Sequence, residues 1–153
     1  MTTRARFSEI KERLQPGAWA ARVQDADTLY VGSCYDSDYA KAFKSRLPAV
    51  WVIGQSSYAI GNEEGQGYAG RMRLRTRIEF ALRLVVKRNA AGLYNNEDAF
   101  NDLYDAVTDR LFSWLPNGAE SECFFVSSED GPANETFMVA DVIFGYVVIK
   151  QSS

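Results

Sequence analysis

An α+β fold, a mostly antiparallel twisted sheet packed against helices with a projecting β-hairpin arm, is what this 153-residue chain predicts. Three observations carry that expectation. Residues 71–88 alternate apolar and largely basic side chains with a period of two, the signature of a strand. The segment after residue 95 changes to three- and four-residue apolar steps, the signature of a helix. The order of segments, two helices, two strands, a helix and two strands, is that of a sheet backed by helices.

In the first segment, 6–15, Phe7, Ile10 and Leu14 fall at helical spacing, and Pro16-Gly17 stops it. Asp36-Ser37-Asp38 reads as a second helix start, with Tyr39 and Phe43 on one face and an end forced before Pro48. The run Ala49-Val50-Trp51-Val52-Ile53 is β-branched and apolar and reads as a buried strand. A glycine-rich acidic stretch, 61–70, precedes the long alternating strand.

In that strand Met72, Leu74, Thr76, Ile78, Phe80, Leu82, Leu84 and Val86 share one face, and Arg71, Arg73, Arg75, Arg77 and Arg83 share the other. Fully extended it would span about 55–60 Å at ~3.3 Å per residue. A globule of this length has a radius of gyration near ~15 Å. The strand must therefore bend or project. A projecting hairpin over about 55–80, with Gly61, Glu63, Glu64, Gly65, Gly67 and Gly70 at its tip, is the economical expectation. Such an arm needs a partner surface to be stable.

Beyond it, Asn95-Asn96-Glu97-Asp98 supplies a cap and an acidic first turn, and Phe100, Leu103, Val107, Leu111 and Trp114 mark a helix ended by Pro116-Asn117-Gly118. Strands are expected at 123–126 and 136–149, with the SSEDGPAN stretch between them a turn by composition. The last strand is apolar on both faces near its end, so it belongs in the middle of the sheet.

Composition sets limits on function. Apolar residues make up 46% and charged residues 24%, the balance of a folded single domain spanning 1–153. The longest apolar run, 49–53, is far short of the ~18 residues of a membrane helix, and no apolar stretch follows the N-terminal arginines as a secretory signal would require. The chain has no histidine, which removes Ser-His-Asp and Cys-His nucleophiles and HExxH zinc sites. We expect no catalytic residues, no metal and no cofactor. Cys34 and Cys123, far apart and outside any CxxC pair, read as free thiols rather than a disulfide.

Charge is uneven. Residues 1–70 are neutral, 71–88 hold seven basic and one acidic residue, and 89–153 hold two basic and eleven acidic residues. The arginine face of the strand and the helix face Asp98, Asp102, Asp105, Asp109 are complementary. On opposite sides of the domain they would allow head-to-tail association; side by side they would neutralise each other within one chain.

Other motifs carry less. Gly65-Gln-Gly67-Tyr-Ala-Gly70 spells GxGxxG, but a strand follows it instead of a helix, and Glu63 and Glu64 repel phosphate. The arginine stripe has no interleaved aromatics and sits on an acidic protein of pI about 5.0, which argues against nucleic-acid recognition. Asp36-Ser37-Asp38 supplies too few oxygens for a calcium loop.

Taken in order, the N-terminal helix, the short helix running into Arg46-Leu-Pro-Ala-Val-Trp-Val52, the glycine-rich arm with its alternating strand, and the Asn-capped helix ending Phe112-Ser-Trp114-Leu-Pro116 form a familiar series. The layout resembles the tail terminator (tail completion) proteins of long-tailed bacteriophages, particularly the Mu-like group. The resemblance implies a virion protein at the tail–neck junction, made in the host cytoplasm. It implies a homo-oligomeric ring, a hexamer, that caps the tail tube protein and meets a neck or head-completion protein. DNA would pass through its lumen unread, and no membrane is involved. On that footing Arg71, Arg73, Arg75, Arg77 and Arg83 are expected to meet acidic side chains of a neighbour or the tube, with Asp98, Asp102, Asp105 and Asp109 as acceptors or lumen charges. The alternative is a neck adaptor or a DNA-associated assembly protein using the basic strand.

Overall fold

Thr2 opens the first helix: its Oγ1 accepts a hydrogen bond from the Ala5 amide at 3.1 Å, satisfying one of the donors a helix start leaves free. This computed structural model describes residues 2–37, 39, 47–62, 73–87, 96–130 and 137–151. Helix α1 (Thr3–Arg13) starts three residues before the expected point because the cap lies outside the apolar pattern. It buries Phe7 and Ile10, with Leu14 just past its end. Two short 3-10 turns, Ala18–Ala20 and Ala26–Thr28, lead to strand β1 (Tyr30–Ser33).

Strands β2 (Ala49–Asn62) and β3 (Arg73–Lys87) follow, then helix α2 (Asn96–Leu111) and strands β4 (Phe124–Asp130) and β5 (Phe137–Gln151). They form one five-stranded sheet in the order β1-β2-β3-β5-β4. β1 runs parallel to β2, and every other pairing is antiparallel. The fold is α+β, as expected, with a mixed sheet.

Four expectations about elements change. β1 was not anticipated; its amide anchor, Tyr30 N to Pro48 O at 3.0 Å, comes from a remote segment. The strand expected at 49–53 continues to Asn62 because β3 pairs with it out to Leu74, across two register shifts, at Val52/Gly54 and Ala59/Gly61. β4 runs through Ser127, Ser128, Glu129 and Asp130, where composition suggested a turn. Pairing of these residues with 140–143 of β5 overrides their weak strand preference. α2 ends at Leu111, short of Pro116, with Ser113 in a left-handed conformation (φ 65°).

The expected arm is described only in part. β5 accompanies β3 along its whole length, from Lys87 opposite Phe137 to Arg73 opposite Gln151. The described part of the hairpin is therefore flanked by a third strand and does not stand alone. Of the expected tip, Gly61 lies in β2, while Glu63, Glu64, Gly65, Gly67 and Gly70 lie outside the described residues. The second expected helix also lies almost wholly outside them; of its start, Asp36 and Ser37 form a turn and Tyr39 is helical.

Both helices pack on one face of the sheet. Phe7, Ile10 and Leu14 of the first segment and Leu103, Val107 and Leu111 of α2 join Val50, Val52, Phe80, Leu82, Leu84 and Phe144 in the main core. Each such side chain removed from water contributes ~1.5–3 kcal/mol. A smaller cluster of Ala49, Trp51, Val85, Phe137 and Val139 lies on the opposite face near the β1 end, with Tyr30, Tyr39 and Leu47 against it. Cys34 is exposed and Cys123 is buried, both as free thiols; burial pushes the Cys123 thiol up to about 12.

Candidate assembly interface

Period-two geometry places the β3 arginines on the sheet face away from the helices. Arg75, Arg77 and Arg83 project there beside the side chains of β2 and β5. Each has a carboxylate of its own chain. Arg83 makes a bidentate contact with Asp141 directly opposite on β5, Nε–Oδ1 2.8 Å and Nη2–Oδ2 2.9 Å. That hydrogen bond holds the Arg83 guanidinium protonated more firmly than usual, against the opposing effect of burial. Arg77 pairs with Glu79 at 2.8 Å, two residues along the same strand face. Arg75 reaches Glu120 at 3.4 Å.

Aromatic rings complete the arrangement. The Arg77 guanidinium lies 4.9 Å from the ring centroid of Phe124 on β4 and 5.9 Å from that of Tyr58 on β2. The Tyr58 hydroxyl donates to Glu79 Oε2 at 2.6 Å, and this bond raises the Tyr58 pKa. The stripe thus ties four strands into one charge-matched face. Cross-strand register and the β3–β5 pairing thus give Arg75, Arg77 and Arg83 carboxylate partners within their own chain. Arg71 lies outside the described residues, and Arg73 is placed only by its backbone in β3.

The acidic stripe lies on α2, on the other side of the sheet, so the two charged surfaces are opposed rather than adjacent. It too is partly engaged. Asp109 pairs with Arg22 at 2.7 Å and Asp102 accepts from Gln24 Nε2 at 3.3 Å, both from the segment between the 3-10 turns. Asp98 and Asp105 are exposed.

Three surface features escaped the sequence pattern. Phe112 and Leu115 are exposed on the loop after α2, and Leu115 lines an open depression of roughly 440 Å³ together with Glu9, Glu12, Arg13, Arg110, Trp114 and Asn117. Residues 54–62 of β2 have no described strand on their outer side, since β1 covers only 49–52. Asp36, read as a helix cap, instead accepts from the Ser33 amide at 2.9 Å and from Lys11 Nζ at 2.9 Å, tying α1 to the end of β1. Burial pushes the Asp36 carboxyl up, but the bonds from Lys11 and Ser33 outweigh it and hold it below the ordinary range. Among the described residues no group of three acidic or cysteine side chains could hold a metal ion, and no helix is long and apolar enough to cross a membrane.

No family model and no curated protein matches this sequence. Among solved structures, the fold is similar to that of a chain from the virion of a native gene transfer agent particle. The similarity has a TM-score of 0.61 and covers 94% of each chain at 13% identity. At that identity the likeness establishes a shared fold.

Proposed function

We propose that this chain is a non-enzymatic structural protein of a phage-like virion, forming a ring that caps the tail tube, ends tube polymerisation and joins the tail to the neck. The observation that carries the reading is the near-complete, two-way match of its fold to a chain of a gene transfer agent virion. The likeness of its segments to tail terminators, read from residues alone, points the same way. The acid face of α2 and the charge-matched arginine face lie on opposite sides of the sheet, an arrangement open to a repeated, head-to-tail subunit contact that closes into a ring. On this reading the arginine face (Arg71, Arg73, Arg75, Arg77, Arg83) and the acid face of α2 (Asp98, Asp102, Asp105, Asp109) are the surfaces turned to neighbours, tube or lumen. The self-matched arginines leave little free positive charge for gripping phosphates, which disfavours the DNA-binding alternative.

Negative-stain imaging of the purified protein, alone and mixed with tail tubes stripped of their own caps, tests this. Rings, and rings seated on tube ends, are the expected result. Particles that stay monomeric and leave tubes bare overturn it.

A further inference from the structure

The two edges of the sheet are unlike each other and complementary. Beyond the register shift after Val52, β2 continues to Asn62 while β1 stops opposite Val52, so residues 54–62 present an unpaired backbone edge among the described residues. This stretch, GQSSYAIGN, contains no lysine, arginine, carboxylate or proline, the residues proteins place on edges to keep other strands away. Tyr58 and Ile60 on it are 44% and 47% exposed. The opposite edge is β4, whose outer side carries no described strand; Phe125 there is 40% exposed, and the strand ends in Glu129 and Asp130.

Direction selects the pairing. β2 and β4 run in opposite senses across the sheet, since three antiparallel steps separate them. A second copy rotated about an axis near the strand direction keeps those senses. Its β4 then meets β2 antiparallel, continuing the alternation of the sheet. In that arrangement the acidic end of β4 falls at residue 54, which lies opposite Ala81 of β3. The aromatic end, Phe124 and Phe125, falls beside Tyr58 and Ile60. Pairing β4 with β4 would close a dimer and leave residues 54–62 of both copies open. Pairing β2 with β2 would close a dimer and leave both β4 edges open, whereas β2 with β4 engages residues 54–62 and β4 of every copy once the ring closes.

We infer that residues 54–62 of β2 are the docking edge for β4 of a second copy of this chain, so that subunits join by a continuous antiparallel sheet. The inference rests on the ring reading above and names the surface that makes it.

Disulfide trapping tests it in a Cys34→Ser background, with Cys123 left buried. Ser57→Cys combined with Ser128→Cys, or Ser56→Cys combined with Ser127→Cys, each pair sharing one sheet face, should give a ladder of linked dimers, trimers and larger species under mild oxidation. Each single variant should give none. Ile60→Lys should raise the protein concentration at which rings form by tenfold or more while leaving the thermal midpoint of the monomer unchanged. Dimers from Ser57→Cys alone would show β2 meeting β2 and overturn the assignment. Rings in negative stain with no ladder from either pair would overturn the edge contact and leave the ring standing. Monomers at every concentration, with and without tubes, would remove both.

Discussion

Arg13 and Arg110 close each other's helices: Arg13 Nε donates to the Arg110 carbonyl at 3.1 Å, and Arg110 Nε donates to the Arg13 carbonyl at 2.9 Å. The two residues stand at or next to the last positions of α1 and α2, where carbonyls lack helical partners and cations are favoured. The guanidiniums are close enough to repel. Burial and then Arg110 lower the Arg13 pKa, while the Trp114 ring, 5.7 Å away, faces the Arg13 cation. Arg13→Ala and Arg110→Ala should each lower unfolding free energy by about 1 kcal/mol. In a double-mutant cycle read by urea denaturation, the double variant should lose clearly less than the sum of the two. Simple additivity would show that the reciprocal bonds do not act as a unit.

The Lys11–Asp36 contact gives stability a pH dependence of known sign. The folded Asp36 carboxyl has a depressed pKa, so the unfolded chain takes up its proton first as pH falls. The contribution is fully present above the ordinary carboxylate range and is lost as pH falls through the folded value. Asp36→Asn should cost about 1–2 kcal/mol at pH 7. The gap between it and the parent protein should narrow steadily below about pH 4. A gap independent of pH between 3 and 7 would contradict the assignment.

Arg83 and Asp141 are each about a quarter exposed on a sheet face between apolar neighbours. Asp141→Ala leaves a half-buried guanidinium without its carboxylate and should cost about 2–3 kcal/mol. Replacing both, as Arg83→Met with Asp141→Leu, should recover most of that loss, because the burden lies in the orphaned charge rather than in the absent pair. Thermal unfolding of the three variants measures the difference.

Ser113 holds φ 65° while its amide donates to the Cys123 carbonyl at 3.0 Å. A side chain in this left-handed region costs roughly 1 kcal/mol, which glycine avoids. Ser113→Gly should therefore raise stability by about 0.5–1 kcal/mol. Ser113→Pro, which forbids this φ and deletes the donor, should lower it by more. Equal effects of the two would show that the turn conformation is not held by residue 113.

The sequence carried those parts of the fold whose signal is local. β3 was legible because fifteen residues obey one periodicity, and α2 because its apolar steps and acidic start agree. β1 was not, since four residues with Gly32 among them make no pattern. Gly32 is required there because a Cβ would stand 2.6 Å from the Trp51 ring. The residues of β4 after Phe125 favour turns in isolation and become strand only through β5. At the candidate interface the arginine face was visible, but its charge balance was not. Asp141 and Glu120 lie far along the chain, and only strand register reveals that they meet Arg83 and Arg75. The edge at 54–62 of β2, unpaired among the described residues, was hidden for a related reason, since an edge is defined by what fails to cover it.

β3 and β5 match over fifteen consecutive positions without a break, yet the matched residues lie at least about fifty positions apart in sequence. α2 and β4 must be gathered into the intervening loop before that ladder can close, and loops of this length make closure slow. Until then both strands expose runs rich in valine, isoleucine and phenylalanine to other nascent chains. Folding of the chain should on this account depend on chaperones when synthesis is fast, and its yield should fall with synthesis rate sooner than its thermal stability alone suggests.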